Sequence, residues 1–210
     1  MKYSIKEKIE ILRRETNKMF PNAVTELNYK NDFQLLIAII MSAQTTDKQV
    51  NKVNDIFFKT LIKPSDGVKL GVENIEKYIN TVSFYKNKSK NIFRTCEILN
   101  SKKIPKNIEE LIKLPGVGIK TAKVFLSITE NAPYLGVDTH VHRVLNRVGI
   151  VKTKTANETD KKAEKIIQKK DLTQLHHSLI FFGRYHCIAR KPKCLTCPIS
   201  NICSYNKKEN

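Results

Sequence analysis

The stretch LPGVGIKTA, residues 114–122, shows how the chain is organised, because it contains both the end of one helix and the start of another. Pro115, Gly116 and Gly118 interrupt a helical pattern that the apolar residues on both sides favour. Glycines let a backbone approach a phosphate closely, and the free amides at a helix start bind anions. The stretch therefore predicts a helical hairpin that holds a phosphate, with an ordinary interhelical turn as the alternative. Lys120, in the first turn of the second helix, fits one more phosphate contact.

The composition favours a polyanionic partner. The 210-residue chain carries a formal charge of +18 and has 40% hydrophobic residues, and its pI is near 9.7. Clustered lysine and arginine bind phosphates by releasing counterions, whereas a general bias toward Lys, Asn and Ile would spread the charge everywhere. We favour a nucleic acid as the partner. The length also allows a substantial core and two small domains.

No stretch of the sequence resembles a membrane span or a secretion signal. The longest apolar run, residues 33–41, is interrupted by Gln34 and is far shorter than the about 20 residues that a bilayer requires. The N-terminal stretch MKYSIKEKIEILRRE contains glutamates and lacks an apolar signal core. We therefore expect no membrane partner and a reducing intracellular location, where the five cysteines would not form disulfides.

Helical periodicity runs through almost the whole chain, and no sustained alternation of the kind typical of strands is present. Ser4 with Glu7, and Thr46 with Gln49, predict helix starts with capping boxes. Residues 33–43 are apolar nearly all round, which is typical of a central buried helix. The stretch KPSDG, residues 63–67, is expected to end the helix that Thr46 begins. Further helices are predicted over 72–79, 86–99, from Pro105 and Asn107 into the hairpin, 121–128, after Asp138, from Thr155 to about 168, and 172–185.

The C-terminal cysteines predict a metal centre. Cys187, Cys194, Cys197 and Cys203 have the spacing C-x6-C-x2-C-x5-C, and four thiols this close in a reducing compartment generally bind metal. The spacing fits either an iron–sulfur cluster or one zinc ion and does not decide between them. The fifth cysteine, Cys96, lies on an apolar helical face and is interpreted as a core residue.

The loop between the first two of these cysteines is strongly basic. It contains Arg190, Lys191 and Lys193. With both ends fixed by metal ligands, it would present rigid cations to a phosphate backbone, the alternative being a solvated loop with no partner.

A second functional candidate is Asp138, in the stretch GVDTHVHRV of residues 136–144. It directly precedes an apolar-periodic helix, so it is also an ideal N-cap residue. His140 and His142 are two positions apart and therefore lie on different faces of that helix. We interpret both histidines as structural and not as metal ligands.

Four stretches of the chain together resemble the endonuclease III family, in the same order and over essentially the whole chain. They are SAQTTD at 42–47, LPGVGIKTA, VDTHVHRV and GRYHCIARKPKC with the cysteine tail. The resemblance implies a mainly α, helix-hairpin-helix DNA glycosylase fold. It implies a six-helix barrel domain over 22–132 and a helical domain formed by 1–21 and 133–210, which holds a [4Fe–4S] cluster on the four cysteines.

The same resemblance implies a bifunctional enzyme of base excision repair. It would remove oxidised pyrimidines from duplex DNA and then cleave the strand at the abasic site, acting as a monomer in the bacterial cytoplasm or nucleoid. Its partner would be double-stranded DNA containing damaged bases or abasic sites. In such a protein the glycines Gly116 and Gly118 and the basic loop would contact the DNA backbone.

Individual roles follow from the matching motifs. Lys120 falls at the position of the lysine nucleophile, and Asp138 falls at that of the catalytic aspartate. Gln44 matches the glutamine that fills the gap left by the extruded nucleotide. Ser83 and Phe84 stand where the family has Gly-Leu or Gly-Tyr, so Phe84 is our candidate for the second intercalating residue.

Two alternatives stay open from the sequence. One alternative is a monofunctional mismatch glycosylase of the same superfamily. The adenine-mismatch glycosylases are similar to this sequence but lack the lysine found here at position 120, so its presence favours the bifunctional branch. The other alternative is a non-catalytic helix-hairpin-helix module that binds DNA and contains a structural zinc ion.

Overall fold

The structure is a computed structural model that describes residues 3–205, apart from the side chains of Thr173 and Gln174. All regular secondary structure in this range is helical, in agreement with the mainly α prediction. The α-helices are α1 (Ile5–Met19), α2 (Asp32–Ser42), α3 (Asp47–Thr60), α4 (Pro64–Ile79), α5 (Tyr85–Asn100), α6 (Ile108–Leu111), α7 (Ile119–Thr129), α8 (Thr139–Val148), α9 (Ala156–Ile166) and α10 (Lys169–Tyr185), followed by 3-10 turns at Cys194–Thr196 and Ser200–Ile202. Within this part of the chain, no helix has both the length and the hydropathy needed to cross a bilayer.

The chain forms two compact units. One consists of Met1–Thr25 together with Asn131–Asn210, and the other of Glu26–Glu130. The first unit contains α1 and α8 to α10 with the cysteine tail, and the second contains α2 to α7. The domain boundaries at residues 22 and 132 stay a prediction.

The second unit is built around α2, as the apolar run predicts. Every residue from Phe33 to Met41 is buried. The polar member of this run, Gln34, donates from Nε2 to the carbonyl oxygens of Phe58 at 3.1 Å and Leu61 at 2.9 Å. These bonds satisfy a buried amide and two carbonyl groups at the end of α3, so the interruption of the apolar run costs the core little.

The stretch KPSDG begins a helix, and the prediction that it ends one was wrong. The preceding helix α3 already ends at Thr60, and Pro64 is the first residue of α4. Proline suits a first helical position because its missing N–H would be unpaired there. Asp66 accepts hydrogen bonds from the amides of Ile62 and Lys63, at 3.1 and 2.9 Å. Gly71, with φ 72°, interrupts α4 and explains why residues 72–79 alone look like a helix.

The first unit packs α1 and α8 against α10. Its core includes Leu12, Val141, Leu145 and Phe182, all buried. The capping box predicted at Ser4 and Glu7 is confirmed. The Ser4 hydroxyl accepts from the Glu7 amide, and the Glu7 carboxylate accepts from the Ser4 amide. α10 therefore provides the apolar surface on which α8, the helix that follows Asp138, is held.

Candidate nucleic-acid interface and metal centre

The hairpin stretch forms a tight turn between α6 and α7. Leu114 donates its amide to the carbonyl of Leu111 at 3.0 Å, and Val117 donates to that of Leu114 at 3.1 Å. Leu114 and Val117 are buried, and the buried Thr95 of α5 donates its hydroxyl to the Pro115 carbonyl at 3.0 Å. The core thus fixes the turn. Ile112, the C-cap residue of the one-turn helix α6, is 42% exposed.

The two glycines of the turn have different reasons to be glycine. Gly116 has φ 81°, and a Cβ there would lie 3.1 Å from Asn91 Cβ and 3.2 Å from Ile40 Cγ2. Gly118 has φ −92°, an ordinary value, and a Cβ there would meet nothing within 4 Å. Gly116 is required by the fold, whereas Gly118 leaves the backbone at the start of α7 open to a ligand. Open amides at a helix start are an anion site.

Lys120 lies in the first turn of α7, two residues beyond Gly118, and its side chain is exposed. The next lysine on this helix, Lys123, is only 7% exposed. The preceding residue, Ile119, is 58% exposed. Of the two α7 lysines, only Lys120 is therefore accessible to a substrate.

Asp138 is the N-cap residue of α8, as its position before the helix predicts. Its Oδ1 accepts hydrogen bonds from the amides of His140 and Val141, both at 2.8 Å. Among residues 3–205, no group donates a hydrogen bond to Oδ2, and the side chain is partly exposed. One oxygen therefore caps the helix, and the other stays available for a proton or a developing positive charge.

The two histidines of this helix make structural contacts. His142 Nδ1 lies 2.6 Å from Thr159 Oγ1, and Asn146 bonds the same ring nitrogen at 3.2 Å. His140 Nδ1 lies 3.2 Å from Arg143 Nη2. These bonds link His142 to α9 and His140 to the guanidinium of Arg143. Such contacts are what we expect of structural histidines.

Gln44 and Phe84 are exposed residues in left-handed backbone. Their φ values are 56° and 58°, and Phe84 is 63% exposed. The described chain has two further non-glycine residues with positive φ, Asn131 and Lys191. Such a conformation is unfavourable for a residue with a Cβ and persists only where the surroundings impose it, which is common at functional sites. Three of the four strained positions are thus candidate DNA contacts from the sequence.

Sequence reasoning missed the buried Lys88 of α5. Its Nζ donates to the carbonyl oxygens of Met41 at 2.7 Å and Ala43 at 2.6 Å, and burial lowers the pKa of Lys88 to about 8. A lysine in an amphipathic helix normally indicates a solvated position. Nothing in its local sequence signals partners more than 40 positions away.

The four C-terminal cysteines line one cavity, together with Phe182, Ile199 and Tyr205 among others. In the described range, no three Cys, His, Asp or Glu side chains are gathered as a site for a single metal ion. A [4Fe–4S] cluster takes one thiolate on each iron, so its four ligands need only surround a common space. The donor set and its shared cavity therefore fit a cluster.

The electrostatics of this cavity come from burial and from Arg147. Burial raises the pKa of Cys197 to about 11, which disfavours its thiolate in the absence of a metal. Arg147 Nη1 lies 3.5 Å from Cys187 Sγ, and Cys203 Sγ donates to the Arg147 carbonyl at 3.4 Å. A neighbouring cation favours the thiolate form that metals bind.

The basic loop is held at its base by hydrogen bonds. Arg147 donates to the carbonyls of Ile188 at 2.7 Å and Ala189 at 2.9 Å. Lys193 donates its amide to His186 at 3.2 Å, which closes the loop. The three loop cations are exposed, and they are Arg190, Lys191 and Lys193. The loop thus presents solvent-facing cations on a fixed backbone.

These features define the class of protein, a helix-hairpin-helix protein with a cysteine-bound metal centre. Two family models of known proteins match the same parts of the chain. The family model of the HhH-GPD superfamily base excision DNA repair proteins matches residues 37–169. The model of the iron–sulfur binding domain of endonuclease III matches residues 187–203.

Individual relatives match over nearly their whole length. Endonuclease III of Rickettsia prowazekii is 47% identical over 188 residues, covering 88% of this chain and 89% of that protein. Endonuclease III of Escherichia coli K12 is 40% identical over 207 residues, covering 96% of this chain and 97% of that protein. A solved structure of a trapped endonuclease III–DNA covalent intermediate superimposes with a TM-score of 0.91 at 41% identity, covering 99% of each chain.

The chain belongs to the HhH-GPD superfamily of base excision DNA repair proteins and, within it, to the endonuclease III family of DNA glycosylase–lyases. Its cofactor is a [4Fe–4S] cluster, and the alternative of a structural zinc ion is not favoured. The fold prediction is likewise confirmed.

The contrast between the two hairpin glycines generates a prediction. Gly118→Ala should change the free energy of unfolding by less than about 1 kcal/mol, because alanine is only a weaker N-cap residue. It should nevertheless weaken binding to abasic-site duplex DNA about tenfold, or about 1.4 kcal/mol, because a methyl group would stand where the phosphate approaches. Gly116→Ala should destabilise the fold by about 1–2 kcal/mol or more, because alanine is strained at a positive φ.

Chemical denaturation and fluorescence anisotropy on the same preparations measure both quantities. Wild-type affinity in Gly118→Ala would show that no phosphate approaches the backbone there.

The basic loop generates a second prediction. Lys191→Glu should weaken DNA binding and reduce the slope of log K against log salt by at least about 0.9, the value for one lost phosphate contact. The loop is held by Arg147 and by its closing bond, so the absorption of the cluster should not change.

The matched control is Lys161→Glu, which makes the same charge change at an exposed position on α9. Paired salt titrations measure the slopes. Equal slopes in Lys191→Glu and Lys161→Glu would mean that only total charge matters and that the loop makes no direct phosphate contact.

Proposed function

We propose that this protein excises oxidised pyrimidines from duplex DNA and then cleaves the strand at the abasic site through an imine formed by Lys120. The observation that carries the proposal is the accessible Lys120 amine, directly after a turn whose Gly118 leaves the helix amides open. The solved relatives at 41% identity are a trapped covalent endonuclease III–DNA intermediate and a non-covalent endonuclease III–DNA complex. A lysine nucleophile accounts for a covalent intermediate of this kind.

The first chemical step forms a bond between Lys120 Nζ and C1′ of the damaged nucleotide. The glycosidic bond breaks, and the base leaves with the electron pair and takes up a proton. This attack requires the amine in its neutral form. The hairpin phosphate contact would hold the sugar in place against this amine, which supplies the orientation that the attack needs.

The second step opens the sugar ring to a protonated imine between Lys120 and C1′. The imine acidifies the hydrogen on C2′, and loss of that proton expels the 3′ phosphate by β-elimination. Water then hydrolyses the imine and regenerates the lysine. This sequence makes one amine responsible for both base removal and strand cleavage.

We assign Asp138 the role of the carboxylate that accepts a proton from the amine or stabilises positive charge on the sugar. Its Oδ1 is occupied by two amides of α8, and Oδ2 receives no hydrogen bond from the described residues. The helix cap fixes the carboxylate, and the remaining oxygen supplies the negative charge. Acid–base groups of this kind contribute about 10²- to 10⁴-fold to rates.

Base extrusion would be assisted by Gln44 and Phe84, both exposed residues of interhelical loops. Taking a nucleotide out of the stack costs a few kcal/mol, least for damaged pairs. A side chain that fills the vacated space offsets part of that cost. An amide can bond the estranged base, whereas the Phe84 ring can stack between neighbouring bases.

Cys187, Cys194, Cys197 and Cys203 would hold the [4Fe–4S] cluster. When bound, the cluster would supply a rigid cross-link between four thiolates. The chain's own contribution is the basic loop between the first two ligands, which would bind the DNA backbone without reading its sequence. We further propose that the protein acts as a monomer on duplex DNA in the bacterial cytoplasm.

The decisive experiment for the chemistry concerns Lys120. Lys120→Gln should abolish the enzyme–DNA adduct that borohydride traps, because no amine remains to form the imine. Binding to abasic-site DNA should be largely preserved, since one surface charge is a small part of a +18 chain. Lys113→Gln, an exposed lysine on the other side of the hairpin, is the matched control and should trap normally. Undiminished trapping in Lys120→Gln would leave Lys120 as a phosphate contact only.

A separate prediction distinguishes the two roles of Asp138. Asp138→Asn should keep near wild-type thermal stability, because the asparagine oxygen can still accept from the α8 amides. Base excision should fall by at least about two orders of magnitude, because the charge is lost. Asp138→Ala should lose both activity and about 1 kcal/mol of stability. Thermal melts and single-turnover excision rates on a thymine glycol duplex provide the data, and full activity in Asp138→Asn would limit the carboxylate to capping.

A further inference from the structure

Two loops of the Glu26–Glu130 unit are joined by a hydrogen-bonded bridge. The Gln44 loop is the segment 43–46 between α2 and α3, and the Phe84 loop is the segment 80–84 between α4 and α5. Thr45 Oγ1, in the first loop, accepts a hydrogen bond from the amide of Ser83, in the second loop, at 3.1 Å. A second link runs from Gln49 Nε2 to Thr81 Oγ1 at 2.7 Å. Each candidate insertion residue is thus adjacent in sequence to a residue of the bridge.

The ammonium group of Lys88 supports this bridge from inside the unit. It donates to Met41 and Ala43, at the carboxyl end of α2, and to Thr45 Oγ1 at 3.3 Å. All three N–H donors of the ammonium are therefore used. Unpaired carbonyls at a helix end favour a cation. The ammonium group reaches the Phe84 loop through Thr45 Oγ1, which accepts both from Lys88 and from the Ser83 amide.

The two loops have a reason to need such support. Gln44 and Phe84 both adopt left-handed backbone without being glycine, and both side chains are exposed. Their own contacts with solvent cannot impose these conformations, so the imposing groups are those that hold the adjacent backbone. Lys88 and Thr45 are those groups, because Lys88 bonds to the residues on either side of Gln44 and Thr45 accepts from the Ser83 amide next to Phe84.

Capping of α2 alone would not require Thr45. The bonds from Lys88 to Met41 and Ala43 already satisfy the helix end, and Lys88 is 7% exposed. The bond between Thr45 and Ser83 is solvent-exposed and connects residues 38 positions apart in sequence. An exposed hydrogen bond of this kind adds little to stability, but it fixes the distance between the two loops.

We propose that Thr45 and Lys88 are positioning residues that hold the Gln44 loop and the Phe84 loop in register, so that the two side chains enter DNA together when a base is extruded. The inference rests on the proposed function, because it presupposes that these side chains insert. It predicts that loss of the bridge affects only substrates whose base pairs must be opened. The step is conformational and leaves the chemistry at Lys120 unchanged.

The test uses Thr45→Val, which removes the hydroxyl and keeps the shape, in the intact protein containing its cluster. Single-turnover excision is measured on a duplex with one thymine glycol. Borohydride trapping is measured on single-stranded DNA with a preformed abasic site, where no pair has to be opened. The duplex rate should fall about 10- to 100-fold, the scale of a small misplacement. Trapping on the single strand should stay within about twofold of wild type at saturating DNA, because the reacting groups are unaltered.

Two further variants make the result specific. Thr45→Ser restores the hydroxyl and should restore the duplex rate. Thr60→Val removes an exposed threonine hydroxyl that contacts Tyr78, away from both loops, and should match wild type on both substrates. Fluorescence of 2-aminopurine placed opposite the lesion reports insertion directly, and its rise should be slower in Thr45→Val.

The results on the two substrates decide whether Thr45 is a positioning residue. A wild-type duplex rate in Thr45→Val overturns the proposal, and so does an equal loss on both substrates, which would mean general damage to the fold. Failure of the proposed function is recognised separately, because wild-type protein would then neither excise thymine glycol nor form a trapped adduct.

Discussion

The packing of Gly116 against Ile40 and Asn91 is the constraint on which the candidate interface depends. A Cβ there would lie only 3.1 Å from Asn91 and 3.2 Å from Ile40, and the backbone has a positive φ, so glycine is the residue that suits this turn. The turn is thereby fixed to α2, the most buried helix of its unit, and to α5. The start of α7 and the accessible Lys120 follow from that position. The buried helix α2 and its neighbour α5 thus fix the position of the hairpin turn that precedes Lys120.

The cationic side chains of this protein have two different roles. A few cations are turned inward and satisfy carbonyl groups, as Lys88 does at the end of α2 and Arg147 does at the base of the basic loop. The others face solvent, as Arg190 and Lys191 do, and are free to attract phosphate. The inward cations stabilise the backbone that presents the outward ones. Charge therefore contributes to this protein's architecture as well as to its affinity for DNA.

Much of the site could be predicted because its signals are local. The N-caps at Ser4, Thr46 and Asp138 are confirmed, since a cap depends on residues two or three positions away. The full capping box predicted at Thr46 is wrong, because the Gln49 side chain donates to Thr81 Oγ1 in another loop. The burial of Cys96 is confirmed for a similar reason, as helical periodicity alone indicates its face. The stretch KPSDG was misjudged because proline and glycine are also common just after a helix end, whereas here the proline and the acidic residue occupy the first turn of a helix.

By itself, the sequence determined the helical class, the family, the cofactor and the candidate residues, because motifs and apolar periods are properties of neighbouring positions. Only the tertiary structure decided which glycine serves the turn and which leaves the backbone open, since that depends on what a Cβ would meet. It alone also revealed Lys88 and Thr45 as a bridge between two loops. Their partners lie 38 to 47 positions away, and contacts at that separation arise only when packed helices bring distant residues together.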